Sequence, residues 1–304
     1  MMNLTDPIYT DGNKARKHLE AIRWPDGPIC PHCGVVDTAH RIKGKSARPG
    51  LWFCADCRKQ FTVTVGTLFE RSKVPLHKWL LANHLICASK KGMSAHQLHR
   101  MLGVTYKTAW FMANRIREAM RDNPDLSGPI GGENKTVEAD ETFVGGKAKN
   151  RAYRKPRKKE AVFALVEREG RVRSFHVPRV NAKTLRPILV TQIDRKSYLM
   201  TDEAGQYIKV GREFAGHGTV NHSIEEYVRG GFWHTNTIEN YFSILKRGIN
   251  GVYQHVSQKH LKRYLGEFDF RYNTRDIQDA ERATEALRGI TGKRLTYRRT
   301  NAGA

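Results

Sequence analysis

Thr136-Val137-Glu138-Ala139-Asp140-Glu141-Thr142-Phe143-Val144, closed by Gly145-Gly146, is the stretch on which the fold turns. Its β-branched and aromatic residues predict a strand, and the glycine pair ends it. Side chains alternate between the two faces of a strand, so Glu138 shares the face of Asp140 whereas Glu141 points the other way. Downstream, 161–167 and 171–177 read as two more strands joined by a turn at Glu169-Gly170. A helix over 181–193 and a strand over 197–202, SYLMTD, follow. Three strands, a helix and a fourth strand fit an α/β fold with an RNase H-like mixed sheet. In that sheet the first and fourth strands are neighbours, so Asp140 and Asp202 meet at its centre, with Glu138 as a supporting acid behind them.

A third acid belongs to a helix that starts after His234-Thr235. Ile238, Tyr241, Phe242, Leu245 and Ile249 form an apolar stripe, and Asn236, Glu239, Ser243 and Lys246 form a polar one beside it. If the apolar stripe packs on the sheet, Glu239 and Lys246 overhang the two aspartates. The alternative is an ordinary solvated face. His234 either positions a water or a phosphate or serves only the start of the helix.

Charge bounds the partner. Lys and Arg number 53 against 30 Asp and Glu, a formal net charge of +23. Such a surface attracts a polyanion, and nucleic acid is the abundant one in a cell. Ribosome association, a membrane surface and plain solubility are the other readings of charge alone. The first residues contain no uninterrupted apolar run of the signal-peptide kind, and the most apolar stretch, 79–88, is broken by Asn83 and His84. The expectation is a cytoplasmic protein.

Four of the five cysteines form two pairs, Cys30-Pro31-His32-Cys33 and Cys54-Ala55-Asp56-Cys57. Two such knuckles supply the four thiolates of a closed, tetrahedral, structural zinc site. His32 is an alternative ligand, and disulfides are the competing reading. Cys87, among Leu80, Leu81, Leu85 and Ile86, reads as a small buried hydrophobe. Strand signals at 51–53 and 60–65 around the second knuckle complete a zinc ribbon over 21–66.

Residues 67–122 read as a helical segment. Ser94 caps a short helix through Met101, Gly103 makes a turn, and Thr105 opens a second helix from Tyr106 to Met120, which is helix-turn-helix spacing. In the second helix Ala109, Met112, Ile116 and Met120 are spaced for packing, leaving Lys107, Thr108, Asn114, Arg115 and Arg117 for solvent or DNA. A plain helical hairpin between two domains is the alternative. The turn-rich 123–135 is a linker, 136–285 the catalytic domain, and 286–304 a basic tail. Between Lys147 and Lys159, eight of thirteen residues are Lys or Arg, among them Lys155 and Lys158, a loop suited to clamping a DNA backbone. Arg271, Arg275, Lys293-Arg294 and Arg298-Arg299 extend the basic surface, and Tyr264, Phe268, Phe270 and Tyr272 are core residues of the last helix.

EADETFVGGK (138–147), TDE (201–203), HTNTIE (234–239) with KRG (246–248), and YLGEFDFRYN (264–273) resemble the transposases of bacterial insertion sequences called ISXO-like. The likeness runs from the zinc ribbon to near residue 280. It implies a DDE transposase with Asp140, Asp202 and Glu239 in the catalytic positions and Lys246, next to Arg247, as a DNA contact. Relatives with asparagine at the third position leave Asn236 and Asn240 as alternatives there. Carboxylates suit Mg²⁺ or Mn²⁺, which activate water and neutralise a phosphodiester. The resemblance further implies strand cleavage at the element's terminal inverted repeats, attack of the freed 3′-hydroxyl on target DNA, and a homo-oligomer, a dimer, holding both ends on nucleoid DNA. Two other outcomes share the residues: a DNA-binding regulator descended from a transposase, and an RNase H-like nuclease that only hydrolyses.

Overall fold

The computed structural model describes residues 4–44, 46–145, 159–220 and 235–296. The chain forms two compact units, one from residues up to Met120 together with those from Ile277 onward, the other from Arg121 to Asp276.

The first unit opens with helix α1 (Gly12–Arg23), whose N-terminus is capped by Asp11 accepting the N–H groups of Asn13 and Lys14. Three short antiparallel strands follow in the order β1 (Ala39–Arg41), β2 (Trp52–Cys54) and β3 (Gln60–Phe61). Trp24 meets Trp52 and Phe61 edge-on and joins α1 to this small sheet. Helices α2 (Leu76–Ala88), α3 (Ala95–Leu102) and α4 (Tyr106–Met120) follow in this unit. Ser94 accepts the Gln97 N–H, and Gly103 ends α3 in the left-handed conformation at φ 60°. Thr105 Oγ1 then accepts the Thr108 N–H at the start of α4, so the three residues Gly103 to Thr105 link the two helices. Cys87 is fully buried, as a small hydrophobe should be.

The second unit begins with a short helix, α5 (Pro124–Ser127). The segment expected to be a bare linker is built into this unit: Ile130 is fully buried and exchanges backbone hydrogen bonds with Gln192 and Asp194. The sheet is β4 (Thr136–Val144), β5 (Glu160–Glu167), β6 (Val172–Val177), β7 (Tyr198–Asp202) and β8 (Gly216–Val220), in the order β6-β5-β4-β7-β8. β4, β5 and β6 are antiparallel, whereas β7 and β8 run parallel to β4. Between the strands lie α6 (Ala182–Gln192) and α7 (Gly205–Gly211), and α8 (Asn236–Gly248) and α9 (Gln258–Asn273) follow the sheet. The edge strand β8 and the short α7 had no place in the sequence expectation.

Strand periodicity divides the core in two. Val137, Ala139, Phe163 and Leu165 pack with Leu185, Leu189 and Tyr207 on the α6–α7 face. Val144, Val162, Ala164 and Val166 pack with Ile238, Phe242, Leu245 and Leu265 on the α8–α9 face. A sheet buried on both faces explains why β5 reads as a near-continuous apolar run. α9 is stitched to the other edge strand: Asn273 accepts the Val172 N–H and donates to the Val172 carbonyl, and Asp269 accepts from the Ser174 N–H and hydroxyl.

The last helix, α10 (Asp279–Arg288), corrects the boundary at 285. It packs in the first unit, where Asn83 donates to the Ala283 carbonyl and Arg282 to the Cys87 carbonyl. The second unit therefore ends at Asp276. A buried amide on α2 that finds its acceptor on α10 is a tertiary pairing that local periodicity does not carry.

Candidate active site

β4 and β7 run parallel with Thr136 opposite Tyr198, Val137 opposite Leu199 and Glu138 opposite Met200. Carried two residues further, this register sets Asp140 level with Asp202, the last residue of β7. One oxygen of Asp140 accepts the Glu141 N–H at 2.7 Å, and one of Asp202 accepts the Ala204 N–H at 3.1 Å. Glu239 stands exposed on the first turn of α8, with the Thr235 hydroxyl 3.4 Å from its Oε1. The stripe of Ile238, Tyr241, Phe242, Leu245 and Ile249 is buried against the sheet, as its spacing predicts.

Asp140 feels the other two acids. Burial, followed by the charges of Glu141, Asp202 and Glu239, pushes the Asp140 carboxyl up to about 7, against the opposing pull of the Glu141 N–H. Like charges gathered in a half-buried place resist simultaneous ionisation, which is the condition that a cation relieves.

Glu141 is the member of this cluster that strand alternation hid. Its stem leaves the opposite face of β4, as expected, but the carboxylate is held by Gln206 at 3.0 Å and by the Tyr207 hydroxyl, both from α7. It lies near enough to raise Asp140, and its own carboxyl is raised by burial and, after the opposing Tyr207 bond, by Asp202. Burial and the Glu141 charge together drive the Tyr207 hydroxyl well above its ordinary value. No local pattern announces α7, so no sequence signal pointed to this contact.

Glu138 is completely buried. Its carboxylate takes the Arg168 guanidinium at 2.7 Å, the Thr237 hydroxyl at 3.0 Å and the Ile238 N–H at 2.9 Å. Thr235, at the N-cap of α8, makes no side-chain cap bond, so the cap of that helix comes from β4. A carboxylate at a helix N-terminus stabilises by roughly 0.3–1 kcal/mol when exposed and up to about 2 kcal/mol when partly buried.

Among the expected DNA contacts, Lys246 and Arg247 are exposed on the last turn of α8, and Lys107 is exposed at the start of α4. Arg115 is half-buried: its Nε donates to the Leu295 carbonyl at 3.1 Å and its guanidinium lies 4.5 Å from the Phe111 ring centre. With Arg71, Lys73, Lys107 and Trp79, it lines a groove of about 360 Å³ in the first unit. Asn114 and Arg117, expected on the solvent side of α4, are both buried at 2% exposure, because that half of the helix is surrounded by its own unit. Arg271 is likewise not surface: it is buried and ion-paired with Glu267. Lys293 donates to the Glu118 and Ala119 carbonyls at the C-terminal end of α4. Lys155, Lys158, His234, Arg298 and Arg299 lie outside the described residues.

In the first unit the sulfurs of Cys30, Cys33, Cys54 and Cys57 all lie within 4.8 Å of one another. The Cys30–Cys57 and Cys33–Cys54 separations are each 3.6 Å, close to the edge of about 3.8 Å of a tetrahedron with 2.3 Å zinc–sulfur bonds. The crowded sulfurs share their protons unequally: the Cys57 backbone N–H and the neighbouring sulfurs pull the Cys54 thiol down, while burial and the neighbouring sulfurs push the Cys33 and Cys57 thiols up. The cluster fits a zinc ribbon, and no disulfide joins its cysteines.

Residues 10–60 match the family described as a transposase zinc-ribbon domain, and residues 127–273 match the ISXO2-like transposase domain. The chain is 29% identical over 289 residues to an uncharacterized protein in transposable element ISH50 of Halobacterium salinarum, spanning 86% of this chain and 91% of that one. It also aligns with the solved Mos1 transposase paired-end complex with left transposon end, at 12% identity and a TM-score of 0.29 over 69% of this chain and 74% of that one. Among the described residues no helix is long and apolar enough to cross a membrane. With four clustered cysteines in the first unit and an acid-bearing mixed sheet in the second, the chain carries a transposase zinc-ribbon domain at 10–60 and an ISXO2-like transposase domain at 127–273.

Proposed function

We propose that the chain cuts a DNA strand at the ends of its insertion sequence and joins the freed 3′-hydroxyl to target DNA. Asp140, Asp202 and Glu239 are the catalytic residues. The observation that carries this assignment is the placement of Asp140 level with Asp202 on adjacent parallel strands, where burial and then the charges of Glu141, Asp202 and Glu239 hold the Asp140 carboxyl at about 7. An all-oxygen donor set of this kind fits Mg²⁺ or Mn²⁺. When bound there, such cations neutralise the phosphodiester and lower the pKa of the attacking oxygen. Asp140 and Asp202, fixed by the register of two parallel strands, define the floor on which the scissile phosphate rests. Glu239 closes the site from α8. Lys246 and Arg247, two turns further along the same helix, grip neighbouring phosphates, and Lys107 with the basic groove of the first unit holds DNA away from the chemistry. Phosphate contacts of this kind position the duplex without reading its sequence. Two ends must be held together for joining, so the active form is a dimer on DNA in the cytoplasm, at the nucleoid.

The test is a labelled duplex carrying the terminal repeat of the flanking element, incubated with Mg²⁺, Mn²⁺ or EDTA. Metal-dependent nicking and 3′-end joining, lost in Asp140→Asn, are expected. Binding without cleavage in either metal would overturn the assignment in favour of a DNA-binding regulator, and nicking without joining in favour of a nuclease.

A further inference from the structure

We infer that Glu138 is a positioning residue for the third acid: it sets where α8, and therefore Glu239, stands over Asp140. The inference rests on Glu239 acting as a metal ligand, as proposed above. The geometry has three parts. Glu138 and Asp140 lie two residues apart on β4 and so share its α8–α9 face. The Glu138 carboxylate receives the Ile238 N–H at 2.9 Å and the Thr237 hydroxyl at 3.0 Å, from the two residues that immediately precede Glu239. Arg168, just after β5, anchors the carboxylate at 2.7 Å through Oε1, the oxygen that also accepts the Thr237 hydroxyl.

A free helix N-terminus leaves its first N–H groups to be satisfied by whatever side chain reaches them. Here the residue at the N-cap, Thr235, does not cap; its hydroxyl instead lies 3.4 Å from Glu239. The strand that carries Asp140 supplies the cap, so the first turn of α8 is indexed directly to that strand. A carboxylate that accepts two bonds from successive residues constrains both the rotation and the axial position of the helix. Glu239 is on the first turn, where a small displacement is not averaged out along the helix. The buried apolar stripe of α8 holds the helix on the sheet, and these bonds add a direct polar tie between its first turn and β4.

Outer residues that orient metal ligands typically contribute about 10–100-fold to metal affinity. The experiment is a Mn²⁺ titration of the full-length zinc-loaded protein without DNA, read by the electron paramagnetic resonance of free Mn²⁺, with thermal unfolding measured alongside. Glu138→Gln and Thr237→Val are compared with wild type and with Glu239→Gln. Thr237→Val deletes one helix-side bond on a partly exposed residue and carries the test if Glu138→Gln does not fold. We expect Glu239→Gln to weaken Mn²⁺ binding by about tenfold or more, and Glu138→Gln or Thr237→Val to weaken it by about three- to tenfold in protein that remains folded. Wild-type Mn²⁺ affinity in the folded Glu138 and Thr237 variants, with Glu239→Gln weakened, would make Glu138 a purely structural ion-pair partner of Arg168 and overturn the inference alone. Unchanged affinity in Glu239→Gln would show that Glu239 is not a ligand and overturn both.

Discussion

Asp140 and Asp202 stand level across two adjacent parallel strands, two residues beyond the point where Glu138 pairs with Met200. Asp140 comes from the centre of its strand and Asp202 from the end of its own, and the register alone sets them side by side. Their juxtaposition follows from backbone register, the most rigid relationship a sheet offers, because a one-residue slip would send one acid to the opposite face.

Replacing Asp140 or Asp202 by Asn should lower strand cleavage by at least about 10³-fold, because either change removes a charged ligand from a cluster that must neutralise a phosphodiester. DNA affinity, measured by gel shift in EDTA, should stay within about twofold of wild type. Removing the buried charge, and with it the smaller repulsion from its neighbours, should also stabilise the metal-free Asp140→Asn protein, by about 1–3 kcal/mol at pH 8. An unaltered urea midpoint for that variant would show that the ionised Asp140 carboxylate costs the fold nothing.

Asp140 also sets a pH dependence. In the folded chain its carboxyl keeps a proton up to about 7, whereas in the unfolded chain it loses it near the ordinary 3.8. The folded state therefore binds more protons in that window, and metal-free stability contributed by this group falls as pH rises from about 4 to about 7. Metal binding runs the other way, since the ligand must be ionised: Mn²⁺ affinity should rise by up to about tenfold per pH unit below pH 7 and level off above it. Calorimetry in buffers of different ionisation enthalpy should detect the released proton below pH 7.

Zinc removal should unfold the ribbon locally. Chelation, or Cys54→Ser, deletes a contribution on the order of 10 kcal/mol to a sheet whose strands are only two or three residues long. Hydrogen exchange is expected to lose protection at Ala39–Arg41 and Trp52–Cys54 while β4 and β5, in the other unit, keep theirs.

Asn273→Ala should destabilise the second unit by about 2–3 kcal/mol, since both backbone groups of Val172 lose a partner at a partly buried edge. Denaturant unfolding should show a lower midpoint with little change in slope.

Two basic residues of α4 should behave differently. Lys107→Ala is expected to weaken DNA binding and reduce the salt slope by about one, while leaving the melting temperature unchanged. Arg115→Ala should lower stability as well, because the side chain bonds the Leu295 carbonyl and covers Phe111. A melting temperature unmoved by Arg115→Ala would return that residue to the solvent-facing role its helical position suggests.

Much of the site was legible in the residues. The paired cysteines carry their ligand geometry in their spacing, since a two-residue gap makes a knuckle whatever surrounds it. The face that Glu138 and Asp140 share and the apolar stripe of α8 follow from periods of two and 3.6, which are properties of the backbone, whereas Asp202 beside Asp140 followed from the strand order of an RNase H-like sheet. The sequence by itself therefore determined the zinc knuckles, the alternating strand of Glu138 and Asp140, and the face of α8 that turns inward. Tertiary structure alone decided which charges are paired and which remain open. Glu141 reached the aspartates only because α7 offers Tyr207 and Gln206, and Arg117 and Asn114 were drawn inside because their helix is enclosed by its unit. Glu138 became the cap of a helix a hundred residues away, and α10 left the unit of the five-stranded sheet for α2. Periodicity specifies the direction in which a side chain leaves its own element; its partners depend on packing between elements distant in the chain, where burial and charge are settled together.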